Sequence, residues 1–185
     1  QRLAHERIPP QFLPRRRTQD VDSHGACLTG WRGVYEHVGR LAFQGEVSEL
    51  WMWPIQIIRE RLDQPCVWRG SAWPGALVFL SVKEARGNFS VGGRALRSSA
   101  LTMLPSDMSS EGINSAPVES LVVAVKQSVL VDHARRVCGR EIPESSLQKC
   151  IVIDNPDAFA AFEDCAHSIL DALGACPILL EDEGF

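Results

Sequence analysis

Phe43-Gln-Gly-Glu-Val-Ser-Glu-Leu-Trp-Met-Trp-Pro-Ile-Gln-Ile-Ile-Arg-Glu-Arg-Leu62, with Val67-Trp-Arg-Gly-Ser-Ala-Trp-Pro-Gly-Ala-Leu-Val-Phe79 close behind, decides how this chain folds. Phe43, Val47, Ile55 and Ile57 keep an alternating pattern, which is the period of a β-strand. Pro54 marks a bulge or an edge. Four of the five tryptophans fall between Trp51 and Trp73, within two or three strands and their turns. Positions two apart on a strand share a face, so Trp51 pairs with Trp53 and Arg59 with Arg61. A bulge at Pro54 reverses that relation between the two pairs. Two readings are open. In one, Trp51, Trp53, Arg59, Arg61 and Trp73 line a pocket for a small organic molecule, with a guanidinium to hold a carboxylate or another polar group. In the other, the tryptophans are ordinary core and the arginines are surface.

Strand signals continue on the C-terminal side. Asp63-Gln64-Pro65 is a turn, and Cys66 to Trp68 begins a further strand. Ala76 to Val82 is nearly all apolar, as a buried strand is. Asn88 to Leu96 reads as a hairpin closed by Gly92-Gly93, whose freedom suits the positive φ of a type I′ turn. Leu101 to Leu104 and Glu119 to Lys126 are strands, and Ser106 to Pro117 is a polar loop. On the N-terminal side, Gln1 to Val21 carries Pro9, Pro10, Pro14 and Arg15-Arg16-Arg17 and reads as an irregular arm. Ser23 to Gly39 shows helical spacing from Cys27 through Trp31 to Val38, weakened by Gly30 and Gly33.

After Lys126 the period becomes helical. Ser128 caps a helix running to Cys138, and Gly139 ends it. Asn155-Pro156-Asp157 opens the clearest helix, with a cap, a proline in the first turn and an acid at the positive end of the dipole. It runs to about Leu173. Phe159, Phe162, Ala166, Ile169 and Leu173 recur at three, four, three and four residues, an a/d seam. The seam points to a dimer interface; the alternative is a helix lying on its own sheet, which usually shows a wider stripe. The expected organisation is an arm and short helix over 1–40, an antiparallel β-domain over 41–126, and C-terminal helices over 127–185.

The bulk numbers narrow the function. The chain has 185 residues and a net charge of −4. Phosphate neutralisation dominates nucleic-acid affinity, so this balance argues against direct DNA binding by this piece. Cys27, Cys66, Cys138, Cys150, Cys165 and Cys176 show no Cys-x-x-Cys spacing and read as reduced thiols of a cytoplasmic protein. No apolar run is long enough to span a membrane, and no signal peptide is visible. His5, His24, His37, His133 and His167 all lie outside 41–126, so a His-x-His metal site within the strands is not expected. No cofactor motif and no Gly-x-Ser-x-Gly elbow occurs. Cys66 is the sole candidate nucleophile, and a small buried core residue is its plainer reading.

The pattern Gly30-Trp31…Tyr35…Phe43-x-Gly45-x-Val47-x-x-Leu50…Ile55-x-Ile57-x-Arg59…Gln64, then Trp73-Pro74-Gly75, the Gly92-Gly93 hairpin and the strand-then-helix from Glu119 to Cys138, resembles the N-terminal regulatory domain of AraC/XylS-type bacterial transcriptional regulators. The subgroup it is most similar to is the ethanolamine-regulator-like proteins. The resemblance covers about residues 31–173. It implies a mainly β fold, a cupin-like antiparallel barrel or jelly roll followed by a helical dimerisation segment. It also implies a non-catalytic domain that senses an unidentified small-molecule effector and forms a homodimer. DNA would be bound by a C-terminal helix-turn-helix domain absent from this chain, which reads as an excised regulatory domain. The alternative is a small-molecule-modifying enzyme on a cupin-like barrel.

Overall fold

A computed structural model describes residues 8–85, 87–98, 100–105, 109–177 and 180. The remaining positions, including residues 1–7 of the expected arm and 106–108 of the expected polar loop, lie outside the described residues. In chain order the elements are β1 (Gln11–Thr18), α1 (Val21–Gly25), β2 (Arg32–His37), β3 (Gly45–Met52), β4 (Ile55–Leu62), β5 (Cys66–Ser71) and β6 (Ala76–Ala85). There follow β7 (Phe89–Val91), β8 (Arg94–Leu96), β9 (Leu101–Pro105), β10 (Ser110–Asn114) and β11 (Val118–Lys126). The chain then forms α2 (Gln127–Cys138), α3 (Glu144–Leu147), β12 (Ile151–Ile153) and α4 (Pro156–Ala175).

The strands make two antiparallel sheets, ordered β1-β3-β4-β11-β6-β9-β12 and β2-β5-β10-β7-β8. Their inner faces share one core: Val47, Trp51, Ile58, Val78 and Leu104 from the larger sheet meet Tyr35, Cys66 and Val91 from the smaller. The alternating pattern and dense turns imply an antiparallel barrel or sandwich, and the fold is the cupin-like antiparallel barrel that the resemblance implies. It recruits more chain than 41–126, since β1 and β2 come from before that range and β12 from after it.

The β3–β4 hairpin sets the register. Trp53-Pro54 is not a bulge; it forms the two-residue turn, with a cis peptide, and Met52 pairs with Ile55 directly across it. Trp51 therefore faces Gln56. Cross-strand partners share a face, so Gln56, Ile58, Glu60 and Leu62 point inward while Ile55, Ile57, Arg59 and Arg61 point out. The β7–β8 hairpin turns on Gly92 and Gly93 at φ 56° and 75°, the left-handed conformation that the sequence implied.

The outer face of the larger sheet is covered by helices. Leu50, Ile57 and Leu121 pack against Ala166, Leu170 and Leu173 of α4. Leu77 and Met103 pack against Leu147 of α3, with Leu130 and Val131 of α2 beside them. Asn155 caps α4, its side chain accepting from the amides of Asp157 and Ala158 at 3.0 and 3.1 Å. Helix α2 ends at Gly139, at φ 62°, but its first turn has no side-chain cap, contrary to the role expected of Ser128.

The expected dimer seam is occupied within the chain. Ala166 and Leu173 are 3% and 0% exposed, and Phe162 and Ile169 are half-buried on the same cluster. Phe159 lies half-exposed at the start of the helix. The stripe is also wider than the a/d count, because Leu170 and Glu163 are buried in it. Glu163 is compensated where it lies, accepting from Ser81 Oγ and pairing with His167 Nε2. That wider stripe is what a helix on its own sheet requires.

Candidate functional site

Between the two sheets lies a cavity of about 90 Å³. Its wall is mostly apolar, with Ile58, Leu62, Val78, Leu80 and Leu104 from the larger sheet. Trp68, Phe89 and Val91 face them from the smaller one, and Leu28, Trp31 and Tyr35 close one side. Trp31 and Trp68 meet edge to face, with ring centroids 5.8 Å apart. Small residues of β10, Ser110 and Gly112, leave the space unfilled, and Glu60 projects into it from β4.

Glu60 is held from one side. Its Oε1 accepts from the Tyr35 hydroxyl at 2.5 Å and meets His24 Nε2 at 2.9 Å. The other His24 nitrogen, Nδ1, meets Thr18 Oγ1 at 2.8 Å, so a chain of polar groups runs from β1 through α1 into the barrel. Burial, and then the neighbouring Glu60 carboxylate, push the Tyr35 phenol well above its ordinary range, which keeps it a hydrogen-bond donor. Among the described residues, the second oxygen, Oε2, has a contact only from Ser120 Oγ at 3.5 Å, long for an O–H···O bond. Cys66 also lines the cavity; burial, with Glu60 and Asp63 adding to it, pushes its thiol up to about 11. A thiol so placed stays protonated at neutral pH and is a poor nucleophile. Among the described residues no three His, Cys, Asp or Glu side chains converge as metal ligands.

The five residues expected to form a pocket are placed elsewhere. Trp51 and Trp73 are buried core, each 1% exposed. Trp53 sits in the β3–β4 turn against Trp73, with Lys126 Nζ 5.0 Å from its ring centre. Arg59 is on the outer face, where its Nη1 donates to Asp171 of α4 at 3.0 Å. Arg61, also outward, borders a polar surface cleft with Arg15, Arg17, Glu46 and Asp63. Both arginines are one residue out of phase with the cavity: Glu60 between them is the residue that enters it. The two-residue hairpin at Trp53-Pro54 was the signal that could have located Glu60, because it puts even-numbered β4 positions on the Trp51 face.

The tryptophans are organised by Gln56, which is fully buried. Its side-chain carbonyl accepts from Trp31 Nε1 and Trp73 Nε1, both at 2.9 Å. Its amide donates to the Thr29 carbonyl at 2.9 Å and to Glu49. Glu49 also accepts from the Thr29 amide at 3.0 Å and the Thr29 hydroxyl at 2.8 Å. The network fixes Trp31 as one wall of the cavity and ties the Thr29 loop to the barrel.

Burial holds the Glu49 carboxyl above its ordinary 4.5, against the hydrogen bonds from Thr29 and Gln56 that pull it down. A carboxyl raised in the folded state binds its proton more tightly than in the unfolded chain. Its contribution to stability is therefore present below pH 4.5 and lost as pH rises through the folded value. Urea titrations of wild type and Glu49→Gln between pH 4 and 7 should show wild type losing stability relative to the mutant as pH rises. The opposite slope would mean that the Thr29 and Gln56 bonds outweigh burial.

No family model matches the chain. Among solved structures, the chain is similar to the AraC-like transcriptional activator CuxR, at 12% identity and a TM-score of 0.54, over 88% of this chain and 69% of that one. This chain shares its fold with an AraC-like transcriptional activator. Weaker likenesses are to the Clostridium difficile EutQ protein (10% identity, TM-score 0.36, 62% of this chain and 97% of that one). A mutant of Bacillus subtilis oxalate decarboxylase OxdC is also similar (13% identity, TM-score 0.36, 65% of this chain and 40% of that one). No helix among the described residues is long and apolar enough to cross a membrane.

Proposed function

We propose that this chain is the effector-sensing and dimerisation domain of a bacterial DNA-binding transcriptional regulator of the AraC type, and that it performs no catalysis. The observation that carries this reading is the mostly apolar cavity between the sheets with one ordered carboxylate inside it. Ligand pockets have this character: mostly apolar walls and a few fixed polar groups. The shared fold with an AraC-like activator supports the regulatory context. In this reading DNA is bound by a separate helix-turn-helix domain, in keeping with the net charge of −4. The dimer uses surface other than Ala166 and Leu173, which the chain's own sheet covers.

The enzyme alternative draws on one specific observation, the Glu60–His24–Tyr35 cluster, whose groups can move protons. A screen of small molecules separates the two. Binding is followed by tryptophan fluorescence, since Trp31 and Trp68 line the cavity, and recovered compounds are analysed by mass spectrometry. The sensor reading expects one-to-one binding with the compound returned unchanged. Turnover of any bound compound would establish the enzyme reading instead.

A further inference from the structure

We propose that the state of the barrel cavity is relayed to the first turn of α2, along a run of side chains from Trp31 through Gln56, Trp73 and Trp53 to Lys126. This rests on the reading of the cavity as a sensor's ligand site and names the regulation of that site.

The run begins at the cavity wall. Trp31 borders the space, and its Nε1 donates to Gln56 at 2.9 Å. The same Gln56 oxygen accepts from Trp73 Nε1, also at 2.9 Å. Gln56 is fully buried, so no water replaces a donor that leaves it, and a shift of one indole is felt by the other. Trp73 packs on Trp53 with ring centres 5.1 Å apart, and Lys126 Nζ lies 5.0 Å from the Trp53 ring centre. Lys126 is the residue at which β11 ends and α2 begins.

Helix α2 is poised to respond. None of its 12 residues is buried, and no side chain caps its first turn. A helix of that length with so little packing is marginal. Its start is held instead by the turns of the tryptophan cluster. Lys126 N donates to the Pro54 carbonyl at 3.0 Å, and Gln127 N donates to the Gly75 carbonyl at 2.8 Å. Charge sets the direction of the response. The first turn holds no acid, and a lysine at the positive end of a helix dipole is unfavourable. The face of Trp53 offsets this through a cation–π contact. Moving Trp53 away leaves the ammonium against the dipole and loosens the turn. Strand β11 also joins the cavity to Lys126, through Ser120 and Val122. It is the stiffer route, being paired with β4 on one side and β6 on the other.

The test is amide hydrogen exchange, read by NMR on the intact chain, for wild type, Trp31→Phe, Trp53→Leu and the double variant. Trp31→Phe keeps a ring in the cavity wall and removes the N–H that Gln56 accepts. Each single substitution is expected to speed exchange across α2 by about ten-fold and to leave α4 unchanged. The double variant should exchange no faster than the faster single one, because both changes cut the same run. Should Trp53→Leu fail to fold, Lys126→Met takes its place with the same expectations, since it keeps the stem and removes the charge. Wild-type α2 rates in Trp31→Phe, equal acceleration of α4, or two effects that multiply in full would each overturn the relay. Spectra of the wild type under xenon pressure test the underlying reading, since xenon enters dry apolar cavities. Shifts at the Val78 and Leu104 amides, which border the space, are expected. Their absence would overturn both the sensor reading and the relay, whereas shifts beside independent effects in the double variant would overturn the relay alone.

Discussion

Trp73→Ala is expected to lower the stability of the barrel by about 3–5 kcal/mol, the range for deleting a large aromatic from a packed core. Trp73 is 1% exposed and lies 5.1 and 6.0 Å, ring centre to ring centre, from Trp53 and Trp51. Its indole N–H donates to Gln56, the same carbonyl that holds Trp31. Removing it opens a void at the centre of the tryptophan cluster and takes away one of the two donors on a fully buried amide. Because Trp31 is a cavity wall fixed by that amide, the substitution should also weaken any ligand that the cavity holds. Urea unfolding followed by circular dichroism gives the stability. A loss below about 1 kcal/mol would mean that the cluster is loosely packed and that Gln56 does not organise it.

Leu170→Ala should cost about 2–5 kcal/mol and leave the association state unchanged. Leu170 is 1% exposed, in contact with the cluster formed by Leu50, Ile57 and Leu121 on the outer face of the larger sheet. If α4 instead served mainly as a dimer seam, the same change would dissociate subunits and leave the monomer's stability nearly intact. Analytical ultracentrifugation beside the urea titration separates these outcomes. A fall in association with an unchanged unfolding midpoint would contradict the intramolecular packing of α4. The Arg59–Asp171 pair on the same face is solvated, with side chains 31% and 66% exposed, and contributes less than ~1 kcal/mol. The helix is held to the sheet by its apolar stripe.

How much of this was legible in the sequence depended on whether a local rule had a competitor. The Gly92-Gly93 hairpin and the Asn155 cap were legible because each is set by the chemistry of two or three adjacent residues. Strand β10 was not, and the reason lies in the site. Its inward residues Ser110, Gly112 and Asn114 border the cavity, so they are small or polar, and Ser110-Glu-Gly-Ile-Asn114 reads as a loop. A strand that lines a space lacks the apolar alternation of a strand that fills one. Strand β1 was hidden by Pro14 and three arginines. It is an edge strand whose register is irregular between Leu13 and Arg16, where a proline is tolerated. The helix expected over Ser23 to Gly39 is five residues, Val21–Gly25, followed by a strand. Gly30, at φ 76°, breaks the helical path between them.

None of Trp51, Trp53, Arg59, Arg61 and Trp73 lines the cavity, whose tryptophans are Trp31 and Trp68 and whose charged group on β4 is Glu60, one residue from each of the two arginines. Reading Trp53-Pro54 as a bulge left the parity of β4 open, and a slip of one position sends a side chain to the opposite face. His24 was equally hidden. Its place on α1 is far from β4 in sequence, and only the fold brings its ring to Glu60, 2.9 Å away.

The most direct measurement is diffraction from crystals of this protein pressurised with xenon, which enters dry apolar cavities whatever the natural ligand is. If the barrel encloses a ligand site, xenon density should appear between the sheets, bordered by Trp68, Val78 and Leu104. An empty map there, with the lining side chains closed into contact, would contradict it.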